Sequence, residues 1–156
     1  MIFVMLLNNE VHIKNKYNMP ITVTFTEGVV PQEKYGKVIK EITDAFLEKH
    51  GLEGNTVMTP NVTAQLHVQP KNETFSGGEP IEGAWVEIKS PSFALADRDV
   101  QKNFFAEVTE IIHKHSGGKL PKRHIWTNSV HTVDGTWNMD GIAMTNVELG
   151  NAISQG

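Results

Sequence analysis

The feature that most constrains this chain is a pattern that occurs twice. Ile21, Val23 and Phe25 alternate with Thr22, Thr24 and Thr26, the two-residue period of a strand buried on one side. Gly28 breaks it, and Pro31 stands where a helix tolerates a residue without an N–H. Tyr35, Val38, Ile39, Ile42, Ala45 and Phe46 then recur at helical spacing, and Gly51 supplies a stop. A second alternation sets Val62, Ala64, Leu66 and Val68 against Thr63, Gln65, His67 and Gln69, and Pro70 closes it. After a turn-rich link over 71–83, holding Gly77-Gly78 and Pro80, the order returns. Ala84, Val86 and Ile88 alternate with Trp85, Glu87 and Lys89. Asp97 is placed to cap a helix striped with Val100, Phe104, Val108, Ile111 and Ile112, which Gly117-Gly118 end. His124 to Val130 reads as a fourth strand, and the intervals Ile21 to Val62 and Ala84 to His124 are nearly equal.

A strand–helix–strand passage of this length closes as a right-handed crossover with parallel strands. Two of them predict an α+β fold: two tandem β-α-β units forming a four-stranded sheet with both helices on one face. The other face carries threonines, Gln65, His67 and Gln69. Such a face is either wet or packed on another subunit, and a subunit is the expectation here. The C-terminal part suits exchange between subunits: Val133-Asp134-Gly135-Thr136 holds an Asp-Gly hairpin signal and Asp140-Gly141 a second turn. A short hairpin of this kind can extend a neighbour's sheet. The expected division is an N-terminal extension over 1–19, a domain over 20–145 and a C-terminal tail over 146–156. The extension has no clear amphipathic period and is expected to be disordered or foreign to the natural product, the alternative being an added strand or arm.

Composition excludes several classes. With no cysteine there is no disulfide framework, cysteine zinc site or thiol nucleophile. A net charge of −4 argues against a nucleic-acid partner. The apolar run Ile2 to Leu7 is far short of the roughly 20 residues that span a bilayer. It also lacks the basic flank and cleavage site of a signal peptide, so no membrane association and a cytoplasmic location are expected. His113 and His115 point to different faces of a helix and read as solvated; His124 and His131 lack neighbouring carboxylates, and no metal site is expected. Gly77-Gly78 lacks the lysine of a phosphate loop, and no Gly-x-Ser-x-Gly elbow occurs. Lys119, Lys122 and Arg123 form a small basic cluster that reads as a cap on the loop after the second helix.

Pro20 follows Met19, and a strand begins immediately after it. Its structural role alone would be to fix φ at a strand start. If translation began at Met19 and the methionine were removed, Pro20 would carry a free secondary amine. Burial against apolar groups disfavours the charged form of such an amine, and near neutrality it serves as a general base. Inside a chain the same nitrogen is a tertiary amide with no basic lone pair.

Met19-Pro20-Ile21-Thr22-Val23-Thr24-Phe25, the doubled β-α-β pattern and Trp137-Asn138-Met139-Asp140-Gly141 resemble the tautomerase superfamily. Ile42-Thr43-Asp44-Ala45, Ala64-Gln65, Gly77-Gly78 and Lys122-Arg123-His124-Ile125-Trp126 are most similar to the cis-3-chloroacrylic acid dehalogenase type. Trp137 with Gly141 also resembles malonate semialdehyde decarboxylase. The likeness covers nearly everything from Pro20 to Gly141. It implies a homotrimer, no cofactor and a pocket around a terminal proline. Against the dehalogenase pattern, Phe46 stands in place of a histidine, Ser90 to Leu95 holds no arginine, and Asn128 replaces a tyrosine. The water-activating carboxylate is matched only loosely, by Asp134 or Asp140, so the resemblance does not extend to dehalogenation.

What it does imply is a keto–enol tautomerase or related lyase acting on a small 2-oxo or β-keto acid. Pro20 and Asn128 are the candidate catalytic residues: Pro20 as base, Asn128 as donor to an enolate oxygen. Lys89 and Arg98 are the candidate carboxylate donors, as the cations nearest the family's arginine positions, and Trp137 a candidate pocket wall. Each also has an ordinary structural role: exposed cations for Lys89 and Arg98, a strand-edge amide for Asn128, a core or subunit contact for Trp137. The alternatives are a tautomerase-like trimer that binds a ligand or partner without catalysis, and a ferredoxin-like binding module with the same element order.

Overall fold

The computed structural model describes residues 19–156, so the expectation for the N-terminal extension lies outside the described residues, Met19 apart. The first unit is β1 (Met19–Thr26), α1 (Tyr35–Lys49) and β2 (Val62–Gln69). The link forms a small hairpin of β3 (Phe75–Ser76) and β4 (Glu79–Pro80). The second unit is β5 (Ala84–Pro91), α2 (Arg98–His115) and β6 (Ile125–Thr132). A second hairpin, β7 (Trp137–Met139) and β8 (Ile142–Met144), leads to α3 (Asn146–Ile153).

The four long strands lie in the order β2-β1-β5-β6. β1 pairs with β2 and β5 with β6 in parallel, while β1 and β5 run antiparallel at the centre. The architecture is the one the repeated pattern predicts, with the two units related across the β1–β5 seam. Ile21, Val23, Phe25, Val86 and Ile88 face the helices and share one core with Val38, Ile42, Phe46, Phe104, Val108 and Ile112. Phe46 and Phe104 meet edge to face, centroids 5.5 Å apart, where the helices touch. Each of these apolar side chains removed from water contributes roughly 1.5–3 kcal/mol, which outweighs the weak intrinsic preference of either helix.

Asp97 caps α2 as expected: its side chain accepts from the N–H groups of Asp99 and Val100. Three details differ from the sequence-based expectation. His124 belongs to a short 3-10 turn, Lys122–His124, and β6 starts one residue later. The hairpin turns at Asp140-Gly141, where both residues take positive φ (54° and 79°) as a type I′ turn requires; Val133–Thr136 forms the turn before it. His115 is buried, and His113 holds the Leu120 carbonyl through Nδ1 at 2.7 Å, so neither is a solvated residue. Helical phase placed them on different faces correctly, but both faces are occupied.

The segment 146–156 contains a helix. Thr145 and Glu148 make a reciprocal capping box, and the Asn55 side chain donates to the Ile153 carbonyl, tying α3 to the loop after α1.

Candidate functional site

Pro20 lies next to the start of β1, on the face away from the helices, because it alternates with the buried Ile21. Strand register decides which side chains accompany it. β1 and β5 align Ile21 with Ile88 and Thr22 with Glu87. Carrying that register one residue further sets Pro20 opposite Lys89. Side chains directly opposite in an antiparallel pair stand about 4.5–5.5 Å apart at Cβ. On the outer sides β1 aligns Pro20 with Thr63, and β5 aligns Lys89 with Val130 and Glu87 with Asn128. The open face is therefore a grid. One row reads Thr63, Pro20, Lys89, Val130, and the next Gln65, Thr22, Glu87, Asn128.

Lys89 is about half exposed and its ammonium lies 3.4 Å from the Glu87 carboxylate. Thr22, Thr24, Trp85, Glu87 and Asn128 line a shallow cavity of about 230 Å³ one row from Pro20. Asn128 also borders a larger cavity, about 440 Å³, between β6 and the start of α2. Arg98, Gln101, Lys102, Ser129 and His131 are among its other walls. Arg98 is the first residue of α2 and its Nη1 donates to Gln101 Oε1 at 3.3 Å. The hydroxyl of Ser129 is shielded from solvent and has no hydrogen-bond partner. Two cations and an amide around one cavity make a suitable cradle for a carboxylate.

Four of the five residues expected from sequence thus fall at one end of the sheet. Pro20, Lys89 and Asn128 share the open face, and Arg98 meets Asn128 across the edge cavity. Trp137 does not join them: it is buried, 8% exposed, and packs in the core through the β7–β8 hairpin. Lys102, Ser129 and His131 were not anticipated. The β5–β6 register, which places Ser129 and His131 on the helix side, is the signal that finds them.

At the other end of the open face, Trp85 and Trp126 stack with centroids 5.1 Å apart, and His124 stacks on Trp126. Gly83 makes room for them, since a Cβ there would lie 2.8 Å from one indole and 2.9 Å from the other. Among the described residues there is no group of three or more histidine, aspartate or glutamate side chains that could hold a metal ion.

No family model and no curated protein matches the chain. Solved structures do match in three dimensions. The structure of Pt0534 inactivated by 2-oxo-3-pentynoate superposes with a TM-score of 0.69 at 16% identity, covering 84% of this chain and 98% of that one. A fused 4-OT symmetric trimer gives 0.66 at 13% identity over 84% and 98%. A member of the cis-3-chloroacrylic acid dehalogenase family gives 0.63 at 14% identity over 88% and 99%.

This chain has the tautomerase fold. In the tautomerase fold as this sequence builds it, the antiparallel seam between β1 and β5 puts the start of β1 beside the end of β5. That is why Pro20 and Lys89 come to neighbouring strand positions, one residue beyond the Ile21–Ile88 pair, although they are 69 positions apart in the sequence. Among the described residues no helix is long and apolar enough to cross a membrane.

Proposed function

We propose that this protein, when its chain begins at Pro20, is a cofactor-free tautomerase or related lyase for a small 2-oxo or β-keto acid. The observation that carries the reading is the β1–β5 register, which continued one residue past Ile21–Ile88 brings Pro20 beside Lys89, with Asn128 one row away on the same face. As a neutral secondary amine, Pro20 takes a proton from the carbon next to the substrate carbonyl. The C–H electron pair moves into a new C=C bond and the carbonyl oxygen becomes an enolate. Asn128, with Lys89, donates to that oxygen. Arg98 grips the carboxylate. The prolinium then returns its proton, to the same framework at a different carbon in an isomerisation. That a protein of the same fold is inactivated by a 2-oxo acid supports the substrate class.

The open face, with Thr22, Thr24 and Gln65 beside the Trp85–Trp126 stack, is proposed to be covered by further copies of the chain in a homotrimer, the arrangement of the fused 4-OT neighbour. Subunits closing over the site would exclude water and strengthen its electrostatics. A second reading, a tautomerase-fold trimer that binds without catalysis, is favoured by the absence of arginine from Ser90 to Leu95. It also applies to a chain that keeps residues 1–19, in which the Pro20 nitrogen is an amide.

The test is phenylenolpyruvate or 2-hydroxymuconate turnover by protein whose intact mass places Pro20 at the terminus, beside its Pro20→Ala variant. A base role predicts a loss of about 10²–10⁴ in rate on substitution. Equal rates would remove Pro20 as the base, and no turnover by the correctly trimmed protein would leave the binding reading in its place.

A further inference from the structure

The loop between β5 and α2 ends in a relay that reaches Arg98. His50, just past the end of α1, is half-buried and its ring packs on Phe46 with centroids 4.2 Å apart. Its Nδ1 lies 2.7 Å from the Phe46 carbonyl and its Nε2 3.1 Å from the Leu95 nitrogen. The Leu95 amide can only donate, so Nε2 accepts and Nδ1 carries the hydrogen, which it gives to Phe46. Both ring nitrogens are thereby committed in one neutral tautomer. Leu95 has φ of 54°, left-handed backbone that a leucine adopts only when its surroundings hold it there. Its side chain is 1% exposed. Its carbonyl accepts from Gln101 Nε2 at 2.7 Å, so the two polar groups of one strained residue are held by two different side chains. Gln101 then uses its other amide atom, Oε1, to accept from Arg98 Nη1.

We infer that His50 and Gln101 are positioning residues: through the clamped Leu95 peptide they aim Arg98 into the cavity it shares with Asn128. The inference rests on reading that cavity as the seat of the substrate carboxylate. The physical case is one of entropy. Arg98 is exposed, and a free arginine side chain loses rotamer freedom when it is ordered on a ligand. An arginine already held at one guanidinium nitrogen by a glutamine, itself anchored to rigid backbone, has less to lose. The remaining guanidinium N–H groups stay free for the anion. His50 lies outside the walls of that cavity, so it acts only through Leu95.

The whole 156-residue chain is titrated with phenylpyruvate by calorimetry, while NMR follows the Arg98 side chain and the Leu95 amide. Arg98→Ala is expected to weaken binding about tenfold, the scale of one charge-assisted grip. Gln101→Met on the helix surface and His50→Phe are expected to weaken it by a similar factor. His50→Gln keeps an acceptor for the Leu95 N–H and should recover most of the loss. Because Gln101 works through Arg98, the double variant Arg98→Ala/Gln101→Met should bind no more weakly than Arg98→Ala alone. Wild-type affinity in Gln101→Met, losses that add in the double variant, or no binding by the wild-type chain overturns the inference. If instead the binding pattern holds and protein beginning at Pro20 fails to turn over phenylenolpyruvate, the positioning role stands and only the assignment of the base falls.

Discussion

Glu41 Oε2 lies 3.1 Å from His115 Nε2, and this contact ties α1 to α2 where the histidine side chain is only 5% exposed. Lys114 approaches the same oxygen at 3.3 Å. Burial pushes the Glu41 carboxyl up, but the hydrogen bonds from His115 and Lys114 together outweigh it and hold the group below its usual 4.5. A carboxyl depressed in the folded state stabilises the fold above its unfolded value, and that contribution is lost as pH falls through the lower folded value. Glu41→Gln should therefore cost about 1 kcal/mol at neutral pH, discounted for partial exposure. The gap from wild type should narrow as pH falls below about 4.5. Urea melts at several pH values measure it, and a gap that does not change with pH would show that the carboxylate's charge is not what matters.

His50 has the opposite chemistry and the same direction of pH dependence. Burial pushes its imidazole below the ordinary 6.5, with the hydrogen bond to Phe46 opposing. The neutral ring is the folded form, since Nε2 must accept from Leu95. Unfolded chain begins to bind a proton near 6.5 while folded chain does not. Stability is thus level above about 6.5 and falls as pH drops from there toward the folded value. His50→Gln removes the titrating group, so wild type should lose stability relative to this variant as pH falls below about 6.5. Parallel stability curves for the two proteins over that range would contradict the assigned tautomer.

Much of this architecture is legible in local pattern. Alternation at Ile21–Phe25 and Ala84–Ile88 locates the central strands because one face of each is buried and the other is not. Asp97 announces α2 because a cap needs only the two N–H groups that follow it. What local pattern does not carry is pairing between distant elements. His115 meets Glu41 across 74 positions, and helical phase says only which way a side chain points, never what waits there. The two Asp-Gly pairs, Asp134-Gly135 and Asp140-Gly141, carry the same turn chemistry; the β7–β8 pairing, a matter of which flanking residues pack, picks the second. The same limit governs the candidate site. Pro20 announces itself beside a methionine, and Lys89 beside it follows only once the antiparallel seam is known. The His50–Leu95–Gln101 relay depends on a left-handed leucine that nothing local specifies.

Gly83 should not tolerate a side chain. An added Cβ would lie 2.8 Å from Trp126, 2.9 Å from Trp85 and 3.2 Å from the His124 carbonyl. Gly83→Ala must push the stacked indoles apart or shift the backbone, at a cost of about 1–3 kcal/mol as for other overpacked sites. The near-ultraviolet circular dichroism of the Trp85–Trp126 pair should change with it. An alanine variant with wild-type stability and an unchanged aromatic spectrum would refute the packing described for this stack.

A buried hydroxyl chain holds the same corner from below. The Gly83 N–H donates to Thr26 Oγ1 at 2.9 Å, Thr26 Oγ1 lies 2.8 Å from Thr74 Oγ1, and Thr74 donates to the Ile81 carbonyl. With both ends fixed, Thr26 must be the donor to Thr74. Thr26→Val keeps the shape, removes the middle of the chain and leaves the Gly83 N–H unpaired. The expected cost is about 1–3 kcal/mol. Thr74→Val leaves only the Ile81 carbonyl and the Thr26 hydroxyl short of a partner, groups with more freedom to compensate, and should cost less. Denaturant unfolding of the two variants ranks them, and the reverse order would mean that the unpaired Gly83 N–H is not the costliest loss in this chain.

The β1–β5 register carried one residue past Ile21–Ile88, which sets Lys89 across from Pro20, and the ion pair of Lys89 with Glu87 at 3.4 Å make a prediction with two signs. In protein that begins at Pro20, the acid limb of the kcat/KM profile reports loss of the neutral amine as it takes a proton. A cation across the strand opposes that protonation, and the carboxylate beyond it favours it. Removing the cation in Lys89→Met should therefore move the acid limb to higher pH, and Glu87→Gln should move it to lower pH. At several ångströms and partial exposure each charge is worth under ~1 kcal/mol, so each displacement should be ~0.5 pH unit and should shrink in high salt. Lys89→Met should also raise KM if the ammonium touches substrate, but that change is independent of pH and separates from the displacement of the limb. Profiles that shift the same way in both variants, or that do not respond to salt, would mean that the limb belongs to some other group and that the base is not the nitrogen of Pro20.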